Sequence, residues 1–400
     1  MTWIITFSAI IAMWLDYLFI QRIPMGESRR CKWIFSLMTI NSLPTVISAL
    51  TYLFSPDNIH TLSDISRWAM FMFMVLGLAR QPFNVAYLIS KSKLTRAIGA
   101  LCSITTAVIF LHGMAVTRTD YIINRVVITS DQLPESFDNY RIVQLSDLHI
   151  GTLTNPQKEI EQIAKLCNSL QPDLVTFTGD LVDIRYNELQ PSVKSALKQL
   201  NAKDGIYSVM GNHDIGVYIR DSIRLTPKEN TRQLIATEEE LGWRVLDNQT
   251  EYIRRNADSI SITGITFAQS LQEDRQSSNL PQIDLEDLYI NVPEECYNIT
   301  LSHIPQLWDN ILSLHPADLT LTGHVHAMQI AVKVGQWRLS PSMLLYKRWS
   351  GLYVEQEKYL YINDGIGYTL YPMRIGARPE ITLFELKCKN KLEIVYSKIN

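Results

Sequence analysis

Long apolar runs separated by short polar loops fill residues 1–117, and beyond them the pattern changes to short apolar runs between polar, turn-rich segments. Four of the long runs, 3–20, 33–54, 68–89 and 97–117, are each about 18–22 residues, the length at which a helix crosses the hydrocarbon core of a bilayer. They predict an N-terminal multi-span α-helical membrane module of about four helices. No Lys or Arg precedes Trp3, so the first run does not read as a cleaved leader. Lys and Arg number none before the first run, then four (Arg22, Arg29, Arg30, Lys32), one (Arg67) and three (Lys91, Lys93, Arg96) in the successive loops. That alternation sets the loops after the first and third runs in the cytoplasm, and the N-terminus and everything after the fourth run outside it. Asp16 interrupts the first run and Arg80 the third. At about 1.5 Å per residue they lie roughly 20 and 18 Å from the outer face, so the two charges are expected to pair between helices. A re-entrant third segment would instead leave three spans and a cytoplasmic domain behind them.

Residues 118–139 read as a connector with a first strand at Arg125–Thr129 and a turn at Leu133-Pro134, and 140–400 as one domain. Tyr140–Leu145, Leu174–Thr178 and Ile206–Met210 are apolar strands, each feeding a polar cluster. Thr226 before Pro227, with Glu229 following, opens a helix that runs to Gly242. Strand pairs are expected at Glu251–Arg255 and Ser259–Thr266. Strands alternating with helices predict an α/β domain. Gln269–Glu286, the most polar stretch, reads as a surface loop, at a place where a substrate lid could also sit. Ser340–Trp349 is unusually apolar for a loop; a place in the core is the favoured reading, lipid or acyl-chain contact the other.

Composition narrows the function classes. The mean hydropathy of +0.00 averages two unlike parts. With 37 basic and 40 acidic residues the chain has no nucleic-acid footprint. Of Cys167, Cys296 and Cys388, the cysteines of the soluble part, Cys167 on an apolar helix face and Cys296 before a strand read as small buried residues, not a disulfide framework.

Five short motifs carry the chemistry: Asp147-Leu148-His149, Gly179-Asp180, Gly211-Asn212-His213-Asp214, Ser302-His303 and Gly323-His324-Val325-His326. They hold five of the chain's 8 histidines. Carboxylate and neutral imidazole together suit Mn, Fe, Zn or Mg. Asp147 and His149, two apart, can face one ion from an extended chain. Gly179 allows a sharp turn that leaves Asp180 free to bridge two cations. Each motif alone is more often a turn or a cap; together, in this order and after strands, they mark a site.

The set resembles the calcineurin-like metallophosphoesterase superfamily, and within it the membrane-associated branch of YkuE/YaeI-type phosphodiesterases, related to a UDP-diacylglucosamine pyrophosphatase. The likeness covers roughly residues 125–386 and extends to Tyr361–Gly367, Pro372-Met-Arg374 and Arg378–Thr382 near the end. It implies a four-layer α/β/β/α sandwich with two divalent metal ions at one edge, Mn serving best in vitro. By matching position, Asp147, His149, Asp180 and His326 would hold one ion, and Asp180, Asn212, His303 and His324 the second. His213 would be the catalytic histidine, with Asp214 hydrogen-bonded to it; a helix N-cap is the rival role for Asp214. Asp183 would support this site from behind or be a solvated turn carboxylate. The family's Gly-Gly-Gln after the last histidine is replaced here by Ala327-Met328-Gln329, which adds bulk near the substrate.

These observations together predict a membrane-anchored, dinuclear-metal phosphoesterase. It would hydrolyse a phosphodiester or pyrophosphate, lipid-linked substrates included, and reside in a bacterial inner or plasma membrane with its catalytic domain outside the cytoplasm. The competing readings are a protein or nucleotide phosphatase, and a membrane sensor or assembly protein with a structural metal site.

Overall fold

The computed structural model describes residues 2–54, 60–219, 225–267, 285–314, 317–335, 337–369 and 371–389. It divides into two compact units, Met1–Arg118 with Thr369–Ile375, and Thr119–Tyr368 with Gly376–Asn400.

The first unit is helical: α1 (Thr2–Arg22), α2 (Glu27–Phe54), α3 (His60–Phe73), α4 (Gln81–Ile89) and α5 (Lys93–Ala115). A π-helical turn at Met74–Leu78 prolongs α3, and Arg80 N-caps α4. Two stretches, Asp64–Ile89 and Lys93–Thr119, are long and apolar enough to cross a membrane. The other two predicted spans, 3–20 and 33–54, lie within the helices α1 and α2. α5 leaves Leu101, Ile104 and Val108 exposed, an apolar surface suited to lipid.

The expected Asp16–Arg80 pair forms, and it is larger than a pair. Arg80 grips the carboxylate with Nη2 and, at 3.0 Å, with Nε. Asn41 and Asn84 donate to the same carboxylate at 2.5 and 2.7 Å, and Gln81 at 3.3 Å. Asp16, Asn41 and Asn84 are buried. Five polar side chains thus satisfy one another among apolar helices, as burial of a charge requires. Thr369–Ile375 joins this unit through Arg374 N to Gly113 O at 3.2 Å and Arg67 Nε to Thr369 O at 2.9 Å.

The second unit holds two six-stranded mixed sheets. The first runs Ile122–Ser130, Glu380–Cys388, Tyr140–Leu145, Leu174–Phe177, Ile206–Ser208, Arg244–Val245. All its pairings are parallel except that of Glu380–Cys388 with Tyr140–Leu145. The second runs Gly351–Glu355, Lys358–Ile362, Leu319–Thr322, Asn298–Ser302, Asp258–Ile265, Gln249–Arg255. Strand alternation sorts the apolar residues. Ile142 and Tyr140 face Ile260, Ile262 and Leu321 between the sheets, whereas Val143 and Leu145 face α6 (Pro156–Ser169) and α7 (Pro191–Leu197) outside. Trp308 covers Leu360 and Ile362 on the far side of the second sheet, completing four layers.

The strands and the helix Pro227–Glu240, capped by Thr226 Oγ1 accepting from Glu229 N at 3.1 Å, lie where the pattern puts them. The Gln269–Glu286 loop lies almost wholly outside the described residues. Ser340–Trp349 departs from its favoured reading as core: Met343, Leu344 and Leu345 are exposed.

Candidate metal centre

The three parallel strands at Tyr140–Leu145, Leu174–Phe177 and Ile206–Ser208 end side by side, so the clusters after them converge. The chain does not stay extended there. Asp147, His149 and Asp180 all take left-handed backbone angles, φ of 54°, 41° and 58°. Asp147 and His149 reach one place because the chain coils after the strand, contrary to the extended geometry expected from their spacing. Gly211 is required by close approach, since a Cβ there would lie 2.2 Å from Asp180 Oδ1.

Two groups of donors result. His326 Nε2 lies 3.1 Å from both Asp147 Oδ1 and His149 Nε2. His303 Nε2 lies 3.0 Å from Asp180 Oδ2 and 3.1 Å from Asn212 Oδ1, which is 3.0 Å from His324 Nδ1. Ligands about 2.1 Å from one cation are spaced roughly 3.0–3.5 Å apart, so both groups have the edges of a coordination polyhedron. Asp180 joins them. Its Oδ1 accepts His213 N at 2.8 Å, and its Oδ2 faces His303 Nε2 and, at 3.7 Å, His149 Nε2.

The donors' chemistry fits cations. Burial, then the neighbouring His213, lowers the His149 imidazole to about 3; burial and His303 do the same to His324. Both rings are neutral at physiological pH, the form that binds a metal. Burial alone would raise Asp147 and Asp180, yet the adjacent histidines hold both carboxyls below their ordinary range. His303 donates Nδ1–H to Thr178 O at 2.7 Å; against the effect of burial, the Asp180 carboxylate raises this imidazole to about 9, so a cation bound at Nε2 must displace a proton. Clusters of Asp147, His149 and His326 and of Asp180, His303 and His324 are therefore competent metal sites.

His213 stands at the edge, its side chain 15% exposed. Its Nδ1 contacts Asp183 O at 2.5 Å and its ring lies 4.3 Å from that of Tyr218. The expected Asp214–His213 hydrogen bond is replaced by another arrangement. Asp214 accepts the backbone N–H groups of Asp180, Leu181, Val182 and Gly211 at 2.7, 2.9, 3.2 and 2.9 Å. A buried carboxylate among four main-chain donors holds the Asp180 loop instead of the imidazole, a role for which residue order gives no signal.

Asp183 is better placed than its sequence reading allowed. Its Oδ1 lies 3.8 Å from His149 Nδ1, which has no hydrogen-bond partner among the described residues, and 3.9 Å from His213 Nδ1. Glu188, unmarked in the sequence, anchors that loop by accepting from the N–H groups of Gly151, Asp183, Ile184 and Arg185 at 2.6–2.9 Å. Behind the centre, Gly365 has a φ of 71°, and a Cβ there would lie 2.9 Å from His326 Nδ1.

Mixed sheets presenting carboxylates and imidazoles at their strand ends suit a metal-dependent hydrolase. Residues 140–328 match the calcineurin-like phosphoesterase family, and this part of the chain is a calcineurin-like metallophosphoesterase domain. It is 30% identical over 293 residues to the "Transmembrane protein with metallophosphoesterase domain" of Danio rerio, covering 72% of this chain and 62% of that protein. Against the uncharacterised metallophosphoesterase YkuE of Bacillus subtilis it is 29% identical, covering 66% and 84%. Against the UDP-2,3-diacylglucosamine pyrophosphatase LpxG of Chlamydia muridarum it is 25% identical, covering 59% and 81%. The chain thus spans less than two thirds of its fish relative.

Proposed function

We propose that the protein is a membrane-anchored hydrolase of a phosphodiester or pyrophosphate bond, with a lipid-linked substrate. The observation that carries this is Asp180 Oδ2 lying between the two donor groups, at 3.0 Å from His303 and 3.7 Å from His149. Asp147, His149, Asp180 and His326 would hold one ion of Mn, Fe, Zn or Mg, and Asp180, Asn212, His303 and His324 a second. Bound there, the ions supply charge neutralisation of the phosphate oxygens and acidification of water. His213, held through Nδ1, presents Nε2 at the rim and when protonated donates to the leaving oxygen. Asp214 acts indirectly, by fixing the loop that carries Asp180.

The lipid assignment is supported by the two candidate spans and by the diacylated substrate in the name of LpxG. The four-span topology, with the catalytic unit outside the cytoplasm of a bacterial inner or plasma membrane, is supported by the loop charges. The test is hydrolysis of bis-nitrophenyl phosphate and nitrophenyl phosphate by the purified full-length protein with Mn²⁺ and with chelator, beside Asp180→Asn. Metal-dependent turnover that falls at least about 10³-fold in the variant is expected. Turnover that survives both chelation and the substitution would overturn the assignment.

A further inference from the structure

The hairpin Val332–Val334/Trp337–Leu339 stands apart from both sheets. Its register pairs Val332 with Leu339, Lys333 with Arg338, and Val334 with Trp337. Paired residues of an antiparallel ribbon point to the same side, and alternate residues to opposite sides. One face is therefore Val332, Val334, Trp337 and Leu339, wholly apolar, with exposures of 50%, 55%, 66% and 44%. The other face is tied down: Arg338 bonds Asp364 and Ser350, and its guanidinium lies 5.5 Å from the Trp349 ring. With Arg338 turned inward, the apolar face is turned outward. The short helix Pro341–Leu344 extends it, leaving Leu344 83% exposed.

A lone two-stranded ribbon with one uncovered apolar face is unfavourable in water. We propose that this face enters the interfacial region of a bilayer of anionic phospholipid and so holds the metal centre at the level of the headgroups. The inference rests on, and deepens, the reading of the centre as a lipid phosphoesterase. Three features select lipid as the occupant. Trp337 at the tip is the side chain that favours the boundary between hydrocarbon and headgroups. Lys347, 71% exposed beside Asp309 at 3.3 Å, can turn to anionic headgroups. The same chain carries stretches able to cross a membrane, so a bilayer is at hand. The patch is also joined to the catalytic residues. Ser340 Oγ donates to Ala327 O at 2.7 Å, next to His326, and the Tyr346 ring lies 6.5 Å from that of His324. A phosphate at the centre would thus lie beside a surface that accepts acyl chains.

The test uses the full-length protein in vesicles of phosphatidylethanolamine and phosphatidylglycerol, with lipids brominated high on the acyl chain. The fluorescence of Trp337 is taken as the difference between wild type and Trp337→Phe. Quenching of that difference by bromolipid, with little quenching by aqueous iodide, is expected, and it needs no turnover. A difference signal quenched by iodide and not by bromolipid would overturn the proposal. So would one quenched by neither, which would mean that protein covers the face. Val334→Asp with Leu344→Asp should cut turnover of a diacyl pyrophosphate at least tenfold while leaving bis-nitrophenyl phosphate unchanged. If the soluble diester is not turned over at all, the esterase reading fails separately from the quenching result.

Discussion

A carboxylate outside the proposed ligand set can still decide how well ions are held. Asp183 Oδ1 faces the Nδ1 atoms of His149 and His213, at 3.8 and 3.9 Å. Its negative charge favours Nδ1–H on His149 and thereby leaves Nε2 as the ligating atom. Asp183→Asn should lower metal affinity or kcat/KM by about 10–100-fold. Metal content by mass spectrometry, read beside kcat/KM, separates the two effects; unchanged values for both would remove Asp183 from the site. The residues that the structure brings together, Asp147, His149, Asp180, Asn212, His303, His324 and His326, were legible because a metal dictates residue type, and Asp, His and Asn at strand ends have few other reasons to recur. Residues acting through the backbone were not. Asp214 bonds main-chain N–H groups, and Glu188 does the same, so neither leaves a pattern in the order of side chains.

At the level of elements, the two sheets are cross-linked at one corner. Arg255 binds Asp173 Oδ1 at 3.0 Å and Asp204 Oδ2 at 2.9 Å, and stacks 4.6 Å from the Tyr140 ring. Burial opposes ionisation of Asp173, but Lys203 and Arg255 beside it hold its carboxyl below the ordinary range. Its contribution is therefore present above the usual carboxylate pKa and lost as pH falls through the lowered one. Arg255→Ala should cost about 2 kcal/mol at neutral pH, and the gap from wild type should close in acid. Denaturant titrations at both conditions check this; a gap that is constant with pH would sink it. In the helical unit, Arg80→Leu leaves Asp16 buried with only amide donors and should destabilise by about 3–5 kcal/mol. Asp16→Leu with Arg80→Leu should recover most of that, because Asn41, Gln81 and Asn84 can then pair among themselves; thermal unfolding in detergent distinguishes the two. The Asp16–Arg80 pair was readable from depth alone, whereas the three amides joined it through helix packing that no spacing encodes. Ser340–Trp349 was misjudged for a related reason. An apolar run states that something covers it and not what.

For the whole molecule, the number of crossings fixes where the chemistry happens. Helices that cross an even number of times return the chain to the side on which it began, and the unit opening at Thr119 follows directly on the candidate span Lys93–Thr119. With four crossings, Thr119–Tyr368 lies opposite the loop that carries Arg22, Arg29, Arg30 and Lys32, the strongest cytoplasmic signal in the chain. The third segment decides the parity. Its helix passes through the Met74–Leu78 π-turn and Arg80 before it resumes at Gln81, and in a crossing segment the polar cluster around Asp16 would satisfy the buried charge. Alkaline phosphatase and green fluorescent protein, each fused after Asn400, read the parity in a bacterial host. Four crossings give an active phosphatase and a dark fluorescent protein. The reverse result would leave three crossings and a cytoplasmic catalytic unit, and the Trp337 face would then meet the inner leaflet.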